Sequence, residues 1–398
     1  MKVLIAEDER ITRRNLQRQL ESWGHEVVAV EDGVAAWDQF QQGEFEIVVT
    51  DWDMPRLDGQ ELIKRIRGSD RVSYAYLIML TGRSEKTDLV SGMEAGADDF
   101  LAKPFDKNEL RVRLSAGERI IRLERTLASR NEELSNANER MKRDLEAAAR
   151  AQHDLLPKKL PESLKANFAW YYKPCDELGG DILNVLPLDE DHVALYLIDV
   201  SGHGVPAALL SVTLSRVLTT RDPTASILVT KEEAGDALVV ASPQRVAGHL
   251  NRQFPMESNS GHYFTMSFAV LDTKKKMFHY INAGHPEPVL MRRGEDPRLL
   301  SGGSFPIGIV AAAEYEDETI QLEPGDRLWF YSDGITEATN DRDEMLNIDG
   351  LIKMLRNHQT GSLSDDLTSC IDEFSRWCGR TQFGDDVSML ALELPPAD

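Results

Sequence analysis

Ile120–Leu156 reads IIRLERTLASRNEELSNANERMKRDLEAAARAQHDLL, and its reading decides how the whole chain divides. Apolar residues recur every seven positions, at Ile120, Leu127, Leu134, Met141, Ala148 and Leu155. With these as heptad position d, position a holds Glu124, Asn131, Asn138, Leu145 and Gln152. Neither Gly nor Pro interrupts the run, and most of its residues are good helix formers. A strict seven-residue apolar repeat predicts a left-handed coiled coil, and Asn at a specifies register and a two-stranded partnership. The other reading is a single solvated helix between domains. A solvated helix has no reason to keep d apolar throughout, so a parallel homodimer is expected. At 1.5 Å per residue such a rod is about 55 Å long. The expected division is therefore a first domain over 1–116, a linker helix over 117–156 and a second domain over 157–398.

The 398 residues suffice for two or three domains with buried cores. With 41% hydrophobic and 28% charged residues the composition is that of a soluble globular protein. A net charge of −22 argues against nucleic acid and anionic membranes as partners, because phosphate contacts need clustered Lys and Arg. Placed carboxylates suit divalent cations instead. Cys175, Cys370 and Cys378 have neither metal-ligand nor disulfide-framework spacing and read as reduced thiols. The opening MKVLIAEDER lacks the apolar core of a signal peptide, and no run of about 18 apolar residues occurs. A cytoplasmic protein is expected.

Before the rod, apolar runs alternate with amphipathic ones. KVLIA, HEVVAV, FEIVVT, AYLIML and DFLA read as strands. Between them lie helical stretches, including one near Glu85–Ala95 and a last one from Asp106. This predicts a doubly wound α/β domain with a five-stranded parallel sheet covered on both faces. Ligands in such sheets sit at the carboxyl ends of the strands. Those ends carry Glu7, Asp8, Asp51, Thr81 and Lys103. Three gathered carboxylates repel unless a cation holds them, so Glu7, Asp8 and Asp51 suggest a Mg²⁺ site. An ammonium and a hydroxyl opposite them suit a phosphoryl group. Singly, each of these residues is an ordinary loop or capping residue.

The motifs IAEDE, TDWDMPRLDG, LTG and DDFLAKPF resemble the receiver domain of two-component response regulators, across this whole block. The resemblance implies that Asp51 accepts phosphate from a sensor histidine kinase or phosphotransfer protein. It also implies that Glu7 and Asp8 hold Mg²⁺ with Asp51, that Thr81 contacts the phosphoryl group and that Lys103 pairs with it. Phe100 takes the place of the family's rotating aromatic switch.

After the rod, Pro157 and Pro161 stop the helix. Many strand-like runs with few helices follow, predicting an α+β sandwich of sheets flanked by helices. The polar segment Thr220–Ser242 reads as a flexible surface insertion. Carboxylates stand at strand ends in Gly179-Gly180-Asp181, in Asp199 before VSGHG, in Asp333-Gly334 and in Gly384-Asp385-Asp386. Singly, these are turn signatures. Together they read as an oxygen-ligand centre for Mg²⁺ or Mn²⁺. Two such ions sharing a carboxylate clamp a water and a phosphoryl oxygen for in-line hydrolysis.

LGGD, DVSGHGVPAALL, AGHP, FPIG, YSDG and GDDVSML resemble the PPM/PP2C-type protein phosphatases, in particular the bacterial SpoIIE/RsbU-like branch that acts on anti-anti-sigma (STAS) proteins. The resemblance implies two Mn²⁺ or Mg²⁺ ions bridged by Asp199, with the Val200 carbonyl as a further ligand. Asp333 and Asp385 would complete the second ion's shell, Asp181 would act on the first through water, and Asp386 would assist. Asn184 stands where the family often has a second Asp, and no Arg to grip the phosphate is evident. His203 reads either as a proton donor or as a turn residue, and His285 as structural. The expected protein is a response regulator whose phosphorylation at Asp51 controls a Ser/Thr phosphatase acting on a phosphorylated STAS protein. The other reading, from a different class, is an adaptor whose phosphatase-like domain binds a partner without catalysis. Retention of Asp199, Asp333 and Asp385 favours the enzyme.

Overall fold

Short runs rich in Val, Ile and Leu become the central strands of two separate sheet systems. The computed structural model describes residues 1–69, 74–82, 93–157, 165–219, 226–231, 238–259, 261–359, 361–380 and 382–396. Contacts divide these residues into two units, Met1–Arg140 and Met141–Asp398.

The first unit runs β1 (Lys2–Ala6), α1 (Arg10–Ser22), β2 (Glu26–Val30), α2 (Gly33–Gln42), β3 (Ile47–Asp51), α3 (Gly59–Arg67), β4 (Tyr76–Thr81), β5 (Asp99–Ala102) and α4 (Lys107–His153). The strands form a parallel sheet in the order β2-β1-β3-β4-β5. Alternation along β1 sends Val3 and Ile5 to one face, with Leu16 and Leu20 of α1, and Leu4 and Ala6 to the other, with Phe40 and Leu62. The helix expected near Glu85–Ala95 falls mostly outside the described residues.

Helix α4 shows no break where the domain and the rod were expected to meet. Leu110, Leu114 and Ile121 are buried in the core beside β4 and β5, so the helix is packed into the first unit's core as far as Ile121. Gly117, which by helix propensity alone is either a weak point or a tolerated surface glycine, is a site of close approach. A Cβ there would stand 2.4 Å from Cδ1 of Tyr76. Beyond Ile121 the heptad residues Leu127, Leu134 and Met141 are 56–61% exposed, leaving an uncovered apolar stripe.

The second unit contains β6 (Asn167–Lys173), β7 (Ile182–Pro187), β8 (His192–Val200), α5 (Val205–Val217), β9 (Val229–Lys231), β10 (Leu238–Val240), α6 (Pro243–Gln253), β11 (Phe264–Asp272), β12 (Met277–Ala283), β13 (Val289–Met291), β14 (Arg298–Leu299), β15 (Gly303–Ser304), β16 (Glu318–Gln321), β17 (Arg327–Tyr331), α7 (Asp333–Thr336), α8 (Asn347–Asn357), α9 (Leu363–Cys378) and β18 (Val387–Glu393). One sheet has the order β15-β12-β11-β8-β7, with β16 beside β12, and the other β14-β13-β17-β18-β6. Period-2 alternation builds the layers. Leu195 and Leu197 meet Leu328, Phe330 and Leu390 between the sheets. Tyr196 and Ile198 face α5 and α6, while Trp329 and Met389 face α8 and α9. The result is a helix–sheet–sheet–helix sandwich. Part of the segment read as a flexible insertion is ordered: β9 and β10 pair antiparallel, and the flanking Leu228 and Ala241 are buried in the core. Apolar flanks override the polar composition of the middle, which lies outside the described residues.

Candidate functional site

Parallel strands deliver the residues of the first site to one edge of the sheet. Glu7 and Asp8 follow β1, Asp51 and Thr81 end β3 and β4, and Lys103 follows β5. Glu7, Asp8 and Asp51 each offer an oxygen within 4.8 Å of the others. Lys103 Nζ stands 2.7 Å from Glu7 Oε2 and 2.8 Å from Asp51 Oδ2. Glu7, Asp51 and Thr81 are buried, whereas Asp8 faces solvent. Burial raises the Glu7 carboxyl above its ordinary range, and the Lys103 ammonium opposes this. Burial would lower Lys103, but its bonds to Asp51 and Glu7 outweigh that and raise it. One ammonium therefore bridges two buried carboxylates beside an exposed third, an arrangement that fits a small divalent cation and a phosphoryl group. Phe100 is half-buried against the core face that carries Trp52 and Met54.

The second site gathers at one end of the sandwich. Asp181 precedes β7, Asp199 and Val200 end β8, Asp333 opens α7 after β17, and Asp385 and Asp386 precede β18. Gly334 is demanded here, since a Cβ would lie 2.0 Å from the Asp386 carbonyl oxygen. Burial first, then Asp333 and Asp385, pushes the Asp199 carboxyl up to about 7. Burial and Asp385 push Asp333 up to about 6. Asp181 is fully buried and raised well above the carboxylate range by burial and then Asp199. Its Oδ2 has no hydrogen-bond partner among the described residues. Mutually repelling carboxylates with an orphaned buried oxygen are the donor set of a hard dication.

Asp386 also ties the backbone of the site together. Its Oδ1 accepts from Cys175 N at 2.8 Å and its Oδ2 from Asp181 N at 3.1 Å, so it fastens the loop that carries Asp181. Cys175, unremarkable in sequence, joins Asp385 and Asp386 in a trio with ligand atoms within 4.8 Å. Burial and then Asp386 push its thiol up to about 12, so it stands there neutral. Exposed His203 pairs through Nδ1 with Asp176 at 3.2 Å. His285 is buried, with Nδ1 2.7 Å from Thr265 Oγ1, and Thr265 lies directly opposite Asp199 in the β8–β11 ladder.

The end of α4 reaches this site within the second unit. Gln152 Nε2 donates to the Gly179 carbonyl at 2.7 Å and to Ser211 Oγ at 3.0 Å. Asn184 Nδ2 donates to the Leu155 carbonyl at 2.8 Å. Leu156 enters the core between the sheets and Leu155 packs beneath β8. The last heptad is thus occupied by the sandwich and is closed to a partner helix.

Residues 189–395 match the family described as Stage II sporulation protein E (SpoIIE), and residues 3–115 match the response regulator receiver domain. Phosphoserine phosphatase RsbP of Bacillus subtilis is 27% identical over 198 residues, which are 50% of this chain and 46% of RsbP. The chain therefore matches about half the length of that relative. A chemotaxis protein CheY homolog of Campylobacter jejuni is 33% identical over 116 residues, 29% of this chain and 89% of that protein. The SiaA-PP2C domain of Pseudomonas aeruginosa aligns with a TM-score of 0.54 at 18% identity, covering 65% of this chain and 98% of that one. That likeness is one of fold.

Proposed function

The chain belongs to the SpoIIE family and carries a response-regulator receiver domain ahead of the family's segment, and on that premise we propose a metal-dependent protein-serine/threonine phosphatase controlled by phosphorylation at Asp51. The observation that carries this reading is the convergence of Asp181, Asp199, Asp333 and Asp385, whose pKa values are all raised, first by burial and then by neighbouring carboxylates. Asp199 and the Val200 carbonyl would hold two ions between them, with Asp333 and Asp385 on one and Asp181 on the other. Two Mn²⁺ or Mg²⁺ ions supply Lewis acidity and a nucleophilic water at neutral pH. Asp386 keeps Asp181 in place by holding its amide.

In the receiver, Asp51 would take the phosphoryl group from a sensor histidine kinase or phosphotransfer protein. Glu7, Asp8 and Asp51 would hold the Mg²⁺ whose charge offsets that of the phosphoryl group, Thr81 would bond one oxygen, and Lys103 would move from carboxylate to phosphoryl. The substrate is a phosphorylated STAS/anti-anti-sigma protein in the cytoplasm, a reading supported by the likeness to a phosphoserine phosphatase. A pair of chains joined along the exposed stripe of α4 would be the working unit. Among the described residues no helix is long and apolar enough to cross a membrane.

One preparation tests both halves. Acetyl phosphate should add one phosphoryl mass to the wild type and none to Asp51→Asn. Phosphate release from a phosphoserine STAS protein should require Mn²⁺ or Mg²⁺ and vanish in Asp199→Asn. Activity that persists in EDTA would overturn the metal-dependent reading.

A further inference from the structure

A cavity of 240 Å³ opens beside the carboxylate centre, lined by Gly334, Glu337, Thr339, Arg380, Phe383 and Asp385 among others. Two groups of residues separated in sequence form it: Gly334 to Thr339, in α7 and the turn after it, and Arg380 with Phe383 to Asp385, ahead of β18. Asp385 belongs both to this cavity and to the metal-binding set proposed above. Among the described lining residues Arg380 is the only cation. Its Nη2 donates to the Thr339 carbonyl at 3.1 Å and to Thr339 Oγ1 at 2.9 Å. Both acceptors are neutral, and they set the direction of the guanidinium from the turn after α7. The residue itself is exposed and accessible to a ligand.

Charge balance says what that ligand is. Asp181, Asp199, Asp333 and Asp385 carry together as much negative charge as two divalent cations carry positive. The loaded centre is then close to neutral, with Asp386 and Glu337 adding negative charge nearby. A phosphate dianion arriving there finds no surplus cation in the centre itself. A guanidinium at the wall of the same cavity supplies one, and its planar fork matches two oxygens of a phosphoryl or carboxylate group. Resting on the phosphatase reading, we propose that Arg380 is the substrate-anion residue of this site, holding the phosphoryl group or a carboxylate beside the phosphoserine from the cavity next to Asp385.

The test uses the full-length protein saturated with Mn²⁺, as wild type, Arg380→Ala and Arg380→Lys. Probes are para-nitrophenyl phosphate, inorganic phosphate as inhibitor, and two phosphoserine peptides with acidic or neutral flanks. Removing a hydrogen bond to a charged group should raise KM and the phosphate inhibition constant about 10- to 100-fold in Arg380→Ala, with partial rescue by Lys. The Mn²⁺ concentration for half-maximal activity and Tm should not move. Loss across all probes identifies the phosphoryl group as the anion; loss confined to the acidic peptide identifies a substrate carboxylate. Unchanged KM and inhibition constants overturn the proposal, as does a fall in Tm or Mn²⁺ affinity with KM intact. If the wild type hydrolyses nothing, the phosphatase reading fails by itself. Calorimetric binding of the same phosphopeptides to the Mn²⁺-loaded protein then decides, with weaker binding in Arg380→Ala supporting the role of Arg380 and equal binding refuting it.

Discussion

His285 shows how one buried side chain ties the site to the fold. It bonds Thr265, the cross-strand neighbour of Asp199, and burial pushes its pKa down to about 3 against a smaller opposing pull from the Tyr331 backbone. The unfolded chain titrates this imidazole near 6.5. Below that pH the unfolded state takes up a proton that the folded state refuses, so the contribution of His285 is present above about pH 6.5 and is lost as pH falls toward 3. The slope is about 1.4 kcal/mol per pH unit. Urea midpoints of wild type and His285→Asn at pH 7, 6 and 5 should diverge at pH 7 and converge as the pH falls. Parallel curves would show that the imidazole protonates in place.

At the scale of the element, α4 serves two cores and leaves its middle bare. Leu110, Leu114 and Ile121 are buried at one end, Gln152 at the other, and Leu127, Leu134 and Met141 lie exposed between. Its one glycine inverts the usual propensity argument. An Ala for Gly in an exposed helix gains about 1 kcal/mol. At Gly117 the added Cβ would sit 2.4 Å from the Tyr76 ring, which is itself buried. Overpacking of this kind costs about 1–3 kcal/mol. Gly117→Ala should therefore destabilise the receiver in denaturant melts, and the same change in a Tyr76→Ala background should stabilise it. A stabilising effect in both backgrounds would return Gly117 to the role of a tolerated surface glycine.

At the scale of the whole molecule, a continuous helix runs from the receiver domain to a glutamine that touches both Gly179, next to the Asp181 loop, and Ser211 of α5. Control transmitted along such a helix depends on its angular phase. One residue inserted near Ala137 turns the downstream half by about 100°, whereas seven restore it to within about 20°. Phosphate release measured with and without beryllofluoride should keep its dependence on the receiver after a seven-residue insertion and lose it after insertions of one to three. Equal control in every variant would reduce the helix to a tether.

The sequence by itself determined the two sheet systems, the long helix and most of the acidic set. Apolar periodicity is a local property: Asp51, Asp199 and Asp333 each stand at the end of an apolar run that reads as a strand, and Asp385 stands just before one. What tertiary structure decided is everything that rests on contacts between distant segments. Gly117 reads as a weak point until Tyr76 is seen above it, and Gln152 reads as a coiled-coil polar position until Gly179 and Ser211 close around it. The two oxygens of Asp386 accept from the amides of Cys175 and Asp181, more than 200 residues away in the chain, a tie no local pattern announces. Arg380 carried no motif at all. Its meaning comes from sharing a cavity with Asp385 and Thr339, an arrangement set by how α7 and α9 pack on one sheet and invisible to any pattern of spacing.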